Sequence, residues 1–88
     1  MNITLHPQFK KSYKKRISSN IKLSLKTEER IIIFKSEPKN SILKDNGLTG
    51  VKKGLRAFSI TGDIRIVYLP VSEEKVVFID IGSHNQVY

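Results

Sequence analysis

The sequence has two histidines, and histidine is the side chain best suited to proton transfer near neutral pH. One of them lies near the carboxyl end. His84 follows the short run Gly82-Ser83, and the sequence closes on the aromatic Tyr88. Imidazole is the side chain that normally changes charge close to pH 7. This ending therefore predicts an acid or base group with an aromatic stacking partner. The other histidine, His6, precedes Pro7 near the start of the chain.

The composition points to an anionic partner. Sixteen Lys and Arg residues against eight Asp and Glu residues give a formal net charge of +8 on 88 residues, and the first 26 residues hold seven basic residues and no acidic one. Such a field attracts polyanions and speeds encounter with them. Nucleic acid is the favoured partner, and an acidic protein surface is the alternative.

Length and residue types narrow the class further. One domain over residues 1–88 is predicted, with a modest core. The chain has no cysteine, which excludes disulfides and thiolate metal sites, and its two histidines lack metal-ligand spacing, so no metal or cofactor is expected. No apolar run exceeds four residues, so neither a membrane span nor a signal peptide is expected, and a cytoplasmic protein is predicted.

A short strand over residues 1–5 and a basic amphipathic helix are predicted first. Pro7 suits a first helical turn, and Phe9, Tyr13 and Ile17 recur every four residues as one apolar stripe. The remaining faces are basic and carry Lys10, Lys11, Lys14, Lys15 and Arg16.

A second helix is predicted to begin after residues 18–20, which favour capping, and to end before Pro38. Three of its apolar residues align on one face, into which one acidic residue also falls: Ile21, Leu25, Ile32 and Glu28.

The second half predicts a sheet. Residues 55–60, 64–69 and 75–81 read as three strands of an antiparallel meander joined by short turns. Residues 36–54 carry turn formers without a clear period, a kind of connection that often carries function. Two N-terminal helices packed on one face of a small antiparallel sheet give an α+β fold.

Arg65 is a charged residue inside the predicted middle strand. Alternation places it on the face opposite Ile64 and Ile66. A charge among apolar neighbours must be paired or reach a ligand, so an ion pair with Asp80 or Asp63 and a role in binding an anion are both open.

Three segments in order, residues 50–58, 62–68 and 80–88, carry a family resemblance. Together they resemble the RelE/ParE superfamily of bacterial toxins, and within it the YafQ-like mRNA interferases, whose chains often end in a similar Gly-Ser/Thr-His motif followed by an aromatic residue. The order of elements also matches. The resemblance spans nearly the whole chain, and its specific part is residues 48–88.

The resemblance implies the toxin of a type II toxin–antitoxin system, neutralised by a cognate antitoxin. Toxins of this kind are ribosome-dependent endoribonucleases that cleave mRNA at the A site without a metal. The 2′-OH attacks the adjacent phosphate and leaves a cyclic or 3′-phosphate and a 5′-OH. This chemistry needs a proton acceptor, a proton donor and stabilisation of extra phosphate charge.

On this resemblance four residues are assigned to those needs. His84 matches the C-terminal histidine as general acid or base, and Arg65 matches the arginine of the RelE-like branch, whose fork would grip phosphate oxygens. Asp63 matches the acid of the YafQ-like loop and would accept a proton or orient a partner, with a turn-forming aspartate as the alternative. Tyr88 matches the terminal aromatic and would stack on an mRNA base.

Basic residues are predicted to contact RNA phosphates of mRNA or ribosomal RNA: Lys52, Lys53 and Arg56. The lysines of the first helix suit ribosomal RNA docking or an acidic antitoxin segment equally well.

Two positions depart from the family pattern. Asn46 and Ser59 stand where YafQ-like toxins commonly carry histidines, so a three-histidine mechanism is excluded and proton transfer falls to His84, Asp63 and Tyr88. Arg65, conversely, is a RelE-like feature that the YafQ-like pattern often lacks. Two other functions stay open: a ParE-like toxin that inhibits DNA gyrase without nuclease activity, and a basic RNA-binding domain without activity.

Overall fold

Eight regular elements follow one another along the chain. A computed structural model describes all 88 residues, Met1–Tyr88. The elements are β1 (Asn2–Leu5), α1 (Pro7–Arg16), α2 (Ile21–Ser36), β2 (Asn46–Gly47), β3 (Arg56–Ser59), β4 (Ile64–Ser72), β5 (Lys75–Ser83) and α3 (His84–Val87). Two short 3₁₀ turns, Ser41–Leu43 and Gly50–Lys52, flank β2.

The two long helices begin where the sequence predicts because side chains cap them. His6 precedes α1, and its Nδ1 accepts a hydrogen bond from the main-chain N of Gln8 at 3.0 Å. Asn20 precedes α2, and its Oδ1 accepts from the main-chain N of Leu23 at 3.0 Å. Each cap satisfies a main-chain N–H that has no partner inside the helix. His6 therefore has a structural role at this terminus.

The sheet is larger than the predicted meander. Its strand order is β1-β5-β4-β3-β2. The three central strands are antiparallel as predicted, and β2 adds antiparallel to β3. The short β1 instead pairs parallel with β5, from Asn2 opposite Lys75 to Leu5 opposite Phe78. The α+β class is confirmed, and the all-antiparallel sheet is corrected to a mostly antiparallel one with one parallel pair.

Strand β4 continues past Pro70, where the sequence predicts an end. The register with β5 shifts beside this residue, between Pro70 and Ser72, and once more between Val67 and Tyr68. A proline cannot donate to the ladder, but a bulge accommodates it. The hairpin is thereby extended to the turn before Lys75.

Aromatic rings fill the space between the helices and one face of the sheet. The Phe34 ring of α2 stacks on Phe58 at a centroid distance of 4.4 Å and meets Tyr68 edge-on at 4.9 Å. Phe9 of α1 lies 5.4 Å from Phe78. These rings are at most 5% exposed, so this face holds the main core.

The apolar stripe of α2 that the sequence picks out does not face this core. Ile21, Leu25 and Ile32 are 74%, 60% and 66% exposed. The helix instead buries Phe34 and Thr27. Phe34 stacks on Phe58 and meets Tyr68 edge-on, and aromatic burial dominates core energetics.

A third helix, which the sequence does not predict, covers part of the other face. Val87 of α3 is 2% exposed and packs with Ala57 and Val67. The helix begins with a capping box, since Ser83 Oγ accepts from Gln86 N at 3.3 Å and Gln86 Oε1 accepts from Ser83 N at 2.7 Å. The spacing Ser-x-x-Gln is the signal in the sequence that indicates this helix.

None of the helices combines the length and the apolar character that crossing a bilayer requires.

Candidate active site

Arg65 lies at the centre of the sheet, on the face that α3 covers. Its register neighbours are Ser59 on β3 and Gly82 on β5. Its Nη1 donates a hydrogen bond to Ser59 Oγ at 3.2 Å, and its Cζ lies 6.0 Å from the centroid of the Tyr88 ring. Its Nε is buried without a hydrogen-bond partner.

No carboxylate neutralises this guanidinium. The three ion pairs of the structure join Arg16 to Asp80, Lys26 to Glu29 and Arg56 to Asp45. The alternative of an ion pair between Arg65 and Asp80 or Asp63 is therefore wrong. A partly buried cation that lacks an internal counter-ion is suited to binding an external anion.

Asp80 serves a different purpose at the edge of β5. Arg16 Nη1 lies 3.4 Å from Asp80 Oδ1 and donates to the carbonyl of Ile81 at 3.0 Å. This covers the part of β5 that extends beyond the short β1. A Cβ on Gly82 would lie 2.8 Å from the same Nη1 and 2.7 Å from Gln86 Oε1, so the glycine lets Arg16 and α3 approach the strand.

His84 and Tyr88 form an aromatic pair one helical turn apart. Their ring centroids are 4.4 Å apart, and the rings meet edge to face at 78°. Tyr88 is 40% exposed, and its ring also contacts the Arg65 guanidinium. The His84 imidazole is exposed and makes no hydrogen bond within the chain, so its two nitrogens are available to a ligand.

Asp63 belongs to the turn between β3 and β4 and reaches the start of α3. Its Oδ1 accepts a long hydrogen bond, 3.4 Å, from the main-chain N of His84. The carboxylate therefore contacts the backbone of His84 rather than its ring. The structure thus brings Arg65, His84, Asp63 and Tyr88 together at one end of one face of the sheet.

A depression of about 310 Å³ adjoins Tyr88. Its lining also includes Asn46, Leu48, Thr49 and Lys52. Of the two predicted RNA-contacting lysines, Lys52 faces this depression, whereas Lys53 does not line it. The depression combines polar and apolar residues with the exposed Tyr88 ring, a mixture that suits a nucleotide.

Arg56 does not join this site. The register pairs Arg56 with Tyr68, so its side chain lies on the opposite face of the sheet, the one that α1 and α2 cover. Its Nε donates to Asp45 Oδ1 at 2.8 Å, and the Tyr68 hydroxyl donates to Asp45 Oδ2. The hydrogen bond to Asp45 raises the pKa of Arg56. The structure therefore does not bring Arg56 together with Arg65 and His84, and contact between Arg56 and RNA stays a prediction.

The Tyr68 hydroxyl gives a pH-dependent test of this cluster. Burial, followed by the bond to Asp45, raises the pKa of Tyr68. An unfolded tyrosine ionises near pH 10 while the folded one stays neutral, so this stabilisation is complete below about pH 10 and is lost above it. The free energy of unfolding is expected to fall by up to about 1.4 kcal/mol per pH unit in that range.

Denaturant titrations at pH 8 and above pH 10 measure this loss. Tyr68→Phe is expected to flatten the alkaline slope relative to the unchanged protein. An identical slope in both proteins would show that Tyr68 is not the responsible group.

No cluster of three or more His, Cys, Asp or Glu side chains is placed to hold an ion.

Two long helices on a mostly antiparallel sheet, with an arginine on the central strand and a histidine–aromatic pair near the carboxyl end, summarise the fold and the site. The match to a family model is more specific. The model described as "Bacterial toxin of type II toxin-antitoxin system, YafQ" covers residues 1–88. The chain belongs to the YafQ toxin family.

Solved structures share this fold. YafQ from E. coli strain BL21(DE3) superposes with a TM-score of 0.83 at 20% identity, over 99% of this chain and 97% of that one. The E. coli DinJ–YafQ toxin–antitoxin complex gives a TM-score of 0.80 at 21% identity, over 99% and 96%. A YoeB/ParE toxin from Agrobacterium tumefaciens gives 0.77 at 21% identity, over 96% and 99%. Among proteins with curated functions, none matches the sequence significantly.

Proposed function

We propose that this toxin is an endoribonuclease that cleaves mRNA on the ribosome by metal-independent attack of the 2′-OH on the adjacent phosphate. One observation carries the proposal. Arg65, which lacks a counter-ion, and His84, whose imidazole has no internal partner, share one face and contact the same Tyr88 ring.

The reaction assigns each group a task. The 2′ oxygen bonds to phosphorus, the bond from phosphorus to the 5′ oxygen breaks, one proton leaves the 2′-OH and another reaches the 5′ oxygen. Negative charge accumulates on the non-bridging oxygens of the phosphate. Arg65 can donate hydrogen bonds to these oxygens without first breaking an ion pair with a carboxylate. His84 transfers a proton at one of the two oxygens.

Asp63 is a carboxylate that contacts this machinery directly. Through the main-chain N of His84 it fixes the start of α3, and it is exposed to solvent. It orients the histidine or takes the second proton. Asp63→Asn separates these roles, because the amide oxygen keeps the hydrogen bond to the backbone but accepts no proton.

The RNA strand is held by stacking and by charge. The exposed part of the Tyr88 ring offers a base platform worth about 1–3 kcal/mol. Lys52 lines the adjoining depression and is placed to contact a phosphate.

The toxin is further proposed to be neutralised by a cognate antitoxin, as the DinJ–YafQ complex of E. coli exemplifies for that pair. Action on ribosomes places the free toxin in the cytoplasm.

Induction in cells followed by mapping of mRNA 5′ ends tests the activity. Codon-linked cuts are expected, and they are expected to disappear in Arg65→Ala and His84→Ala. His6→Asn is the matched histidine control, since asparagine also caps helices, and it should keep the cuts. Gyrase–DNA breaks without mRNA cuts would instead identify a ParE-like inhibitor, and neither effect would leave a binding protein without catalysis.

A further inference from the structure

A row of cations that the chemistry above does not use runs beside α2. Three depressions, of about 420, 290 and 590 Å³, follow one another along this side of the protein. The first two share Lys26 and Thr61, and the last two share Lys44. We call this continuous surface the α2 groove, and its cations are Lys22, Lys26, Arg30, Lys39, Lys44 and Arg56.

The groove carries almost no opposing charge. Its one lining carboxylate, Asp45, already binds Arg56 and Tyr68. Glu29 lies 3.6 Å from Lys26 but does not line the groove. Most of the other lining residues are polar or basic, which favours a phosphodiester backbone over an apolar peptide segment.

Two backbone and side-chain features support a ligand role. Arg30 donates through Nη1 to the carbonyl of Ile42 at 2.9 Å, while its Nε is buried without a partner. Lys44 adopts a left-handed backbone with a φ of 49°, a conformation that asparagine or glycine adopts with less strain. A lysine thus occupies a strained position where two depressions join.

The groove meets the candidate active site at the turn between β3 and β4. Thr61 and Gly62 line the middle depression, and the next residue, Asp63, accepts a hydrogen bond from the main-chain N of His84. Ser59, which is only 5% exposed, belongs to both regions. This serine lines the middle depression, and its Oγ accepts a hydrogen bond from the Arg65 guanidinium at 3.2 Å. An RNA strand bound at Arg65 can therefore continue around the turn between β3 and β4, from the face that α3 covers, into the α2 groove.

We infer that the α2 groove binds the backbone of the mRNA strand next to the phosphate that is cut. The inference rests on the proposed function, because it takes the substrate strand as the occupant. In this inference the groove provides affinity and positions the RNA strand, and Arg65 and His84 carry out the reaction.

Binding of a short 2′-O-methyl RNA, which lacks the attacking hydroxyl, tests the inference by fluorescence anisotropy over a range of salt. The groove variant is Lys26→Gln/Lys39→Gln/Lys44→Asn. The matched control, Lys10→Gln/Lys11→Gln/Lys15→Gln, removes three charges from α1. Each lysine that contacts a phosphate contributes about 0.7 to the salt slope. The groove variant should therefore bind roughly 10- to 100-fold more weakly at about 0.1 M salt, with a slope shallower by about 2.

Other outcomes reject the inference. Equal losses of RNA affinity in both variants would show that net charge alone attracts the RNA. Unchanged RNA affinity in the groove variant would show that the groove does not bind RNA. Unchanged RNA binding with a loss of ribosome binding alone would point to ribosomal RNA, and loss of binding to an acidic peptide alone would point to a protein. Circular dichroism of each variant confirms that it is folded. Failure of the proposed function is distinguishable, because cleavage would then be absent from the unchanged protein whatever its RNA affinity.

Discussion

Replacing Arg65 with alanine is expected to lower the rate of mRNA cleavage by about 10²- to 10³-fold, the usual loss when one preorganised transition-state donor is removed. The guanidinium has no carboxylate partner, and its Nε is buried without an acceptor. The substitution therefore removes stabilisation of the transition state and breaks no ion pair within the protein. Single-turnover cleavage on purified ribosomes measures the rate of the chemical step.

Arg65→Lys is the informative companion variant. It keeps the charge but loses the planar fork that matches two phosphate oxygens. We expect most of the activity to be lost with little change in stability, because only one hydrogen bond, to Ser59, depends on this side chain. Full activity of the lysine variant would show that charge alone is sufficient. Loss of folding, seen as a lower Tm, would assign Arg65 a structural role instead.

Replacing His84 with alanine is expected to lower the cleavage rate by about 10²- to 10⁴-fold, the typical contribution of a positioned proton-transfer group. The imidazole is exposed and packs edge to face only on Tyr88, so its removal creates no core cavity. Stability should therefore be nearly unchanged, and any loss of activity reports chemistry.

Two measurements separate proton transfer from packing. Added imidazole should restore part of the activity of His84→Ala, because a free base can enter the exposed position. The dependence of the cleavage rate on pH should also flatten in this variant. Unchanged pH dependence and no rescue would assign the proton transfer to another group. His6→Asn should behave like the unchanged protein in both measurements.

Both positions that depart from the family pattern lie beside residues of the candidate active site. Ser59, where the resemblance expects a histidine, lies directly opposite Arg65 across β3 and β4 and accepts its hydrogen bond. The small serine side chain leaves space for the Arg65 guanidinium and accepts a hydrogen bond from it. Asn46, at the other such position, lines the depression beside Tyr88. In the proposed reaction the site therefore relies on one histidine and an arginine rather than on several histidines.

Much of the local structure could be predicted because short-range signals determine it. Pro7 and the capping residue Asn20 fixed the starts of the two long helices, and period-two alternation identified the three central strands. The resemblance at residues 80–88 identified His84 and Tyr88 as one unit. The capping box from Ser83 to Gln86 is an equally local signal, and it indicates α3.

Contacts between distant segments decided the rest. The parallel pairing of β1 with β5 depends on the path of both helices, which no local pattern encodes. Helix α2 has apolar residues on two faces, and only packing against Phe58 and Tyr68 selects Phe34 for the core.

The sequence by itself determined the charge, the helices, the central strands and the reactive side chains, because these follow from residue types and near-neighbour spacing. The tertiary structure alone decided that Arg65 joins His84 while Arg56 lies on the opposite face beside Asp45. The physical reason is strand register: a shift of one residue between β3 and β4 would exchange the faces, and the burial of the aromatic core fixes that register.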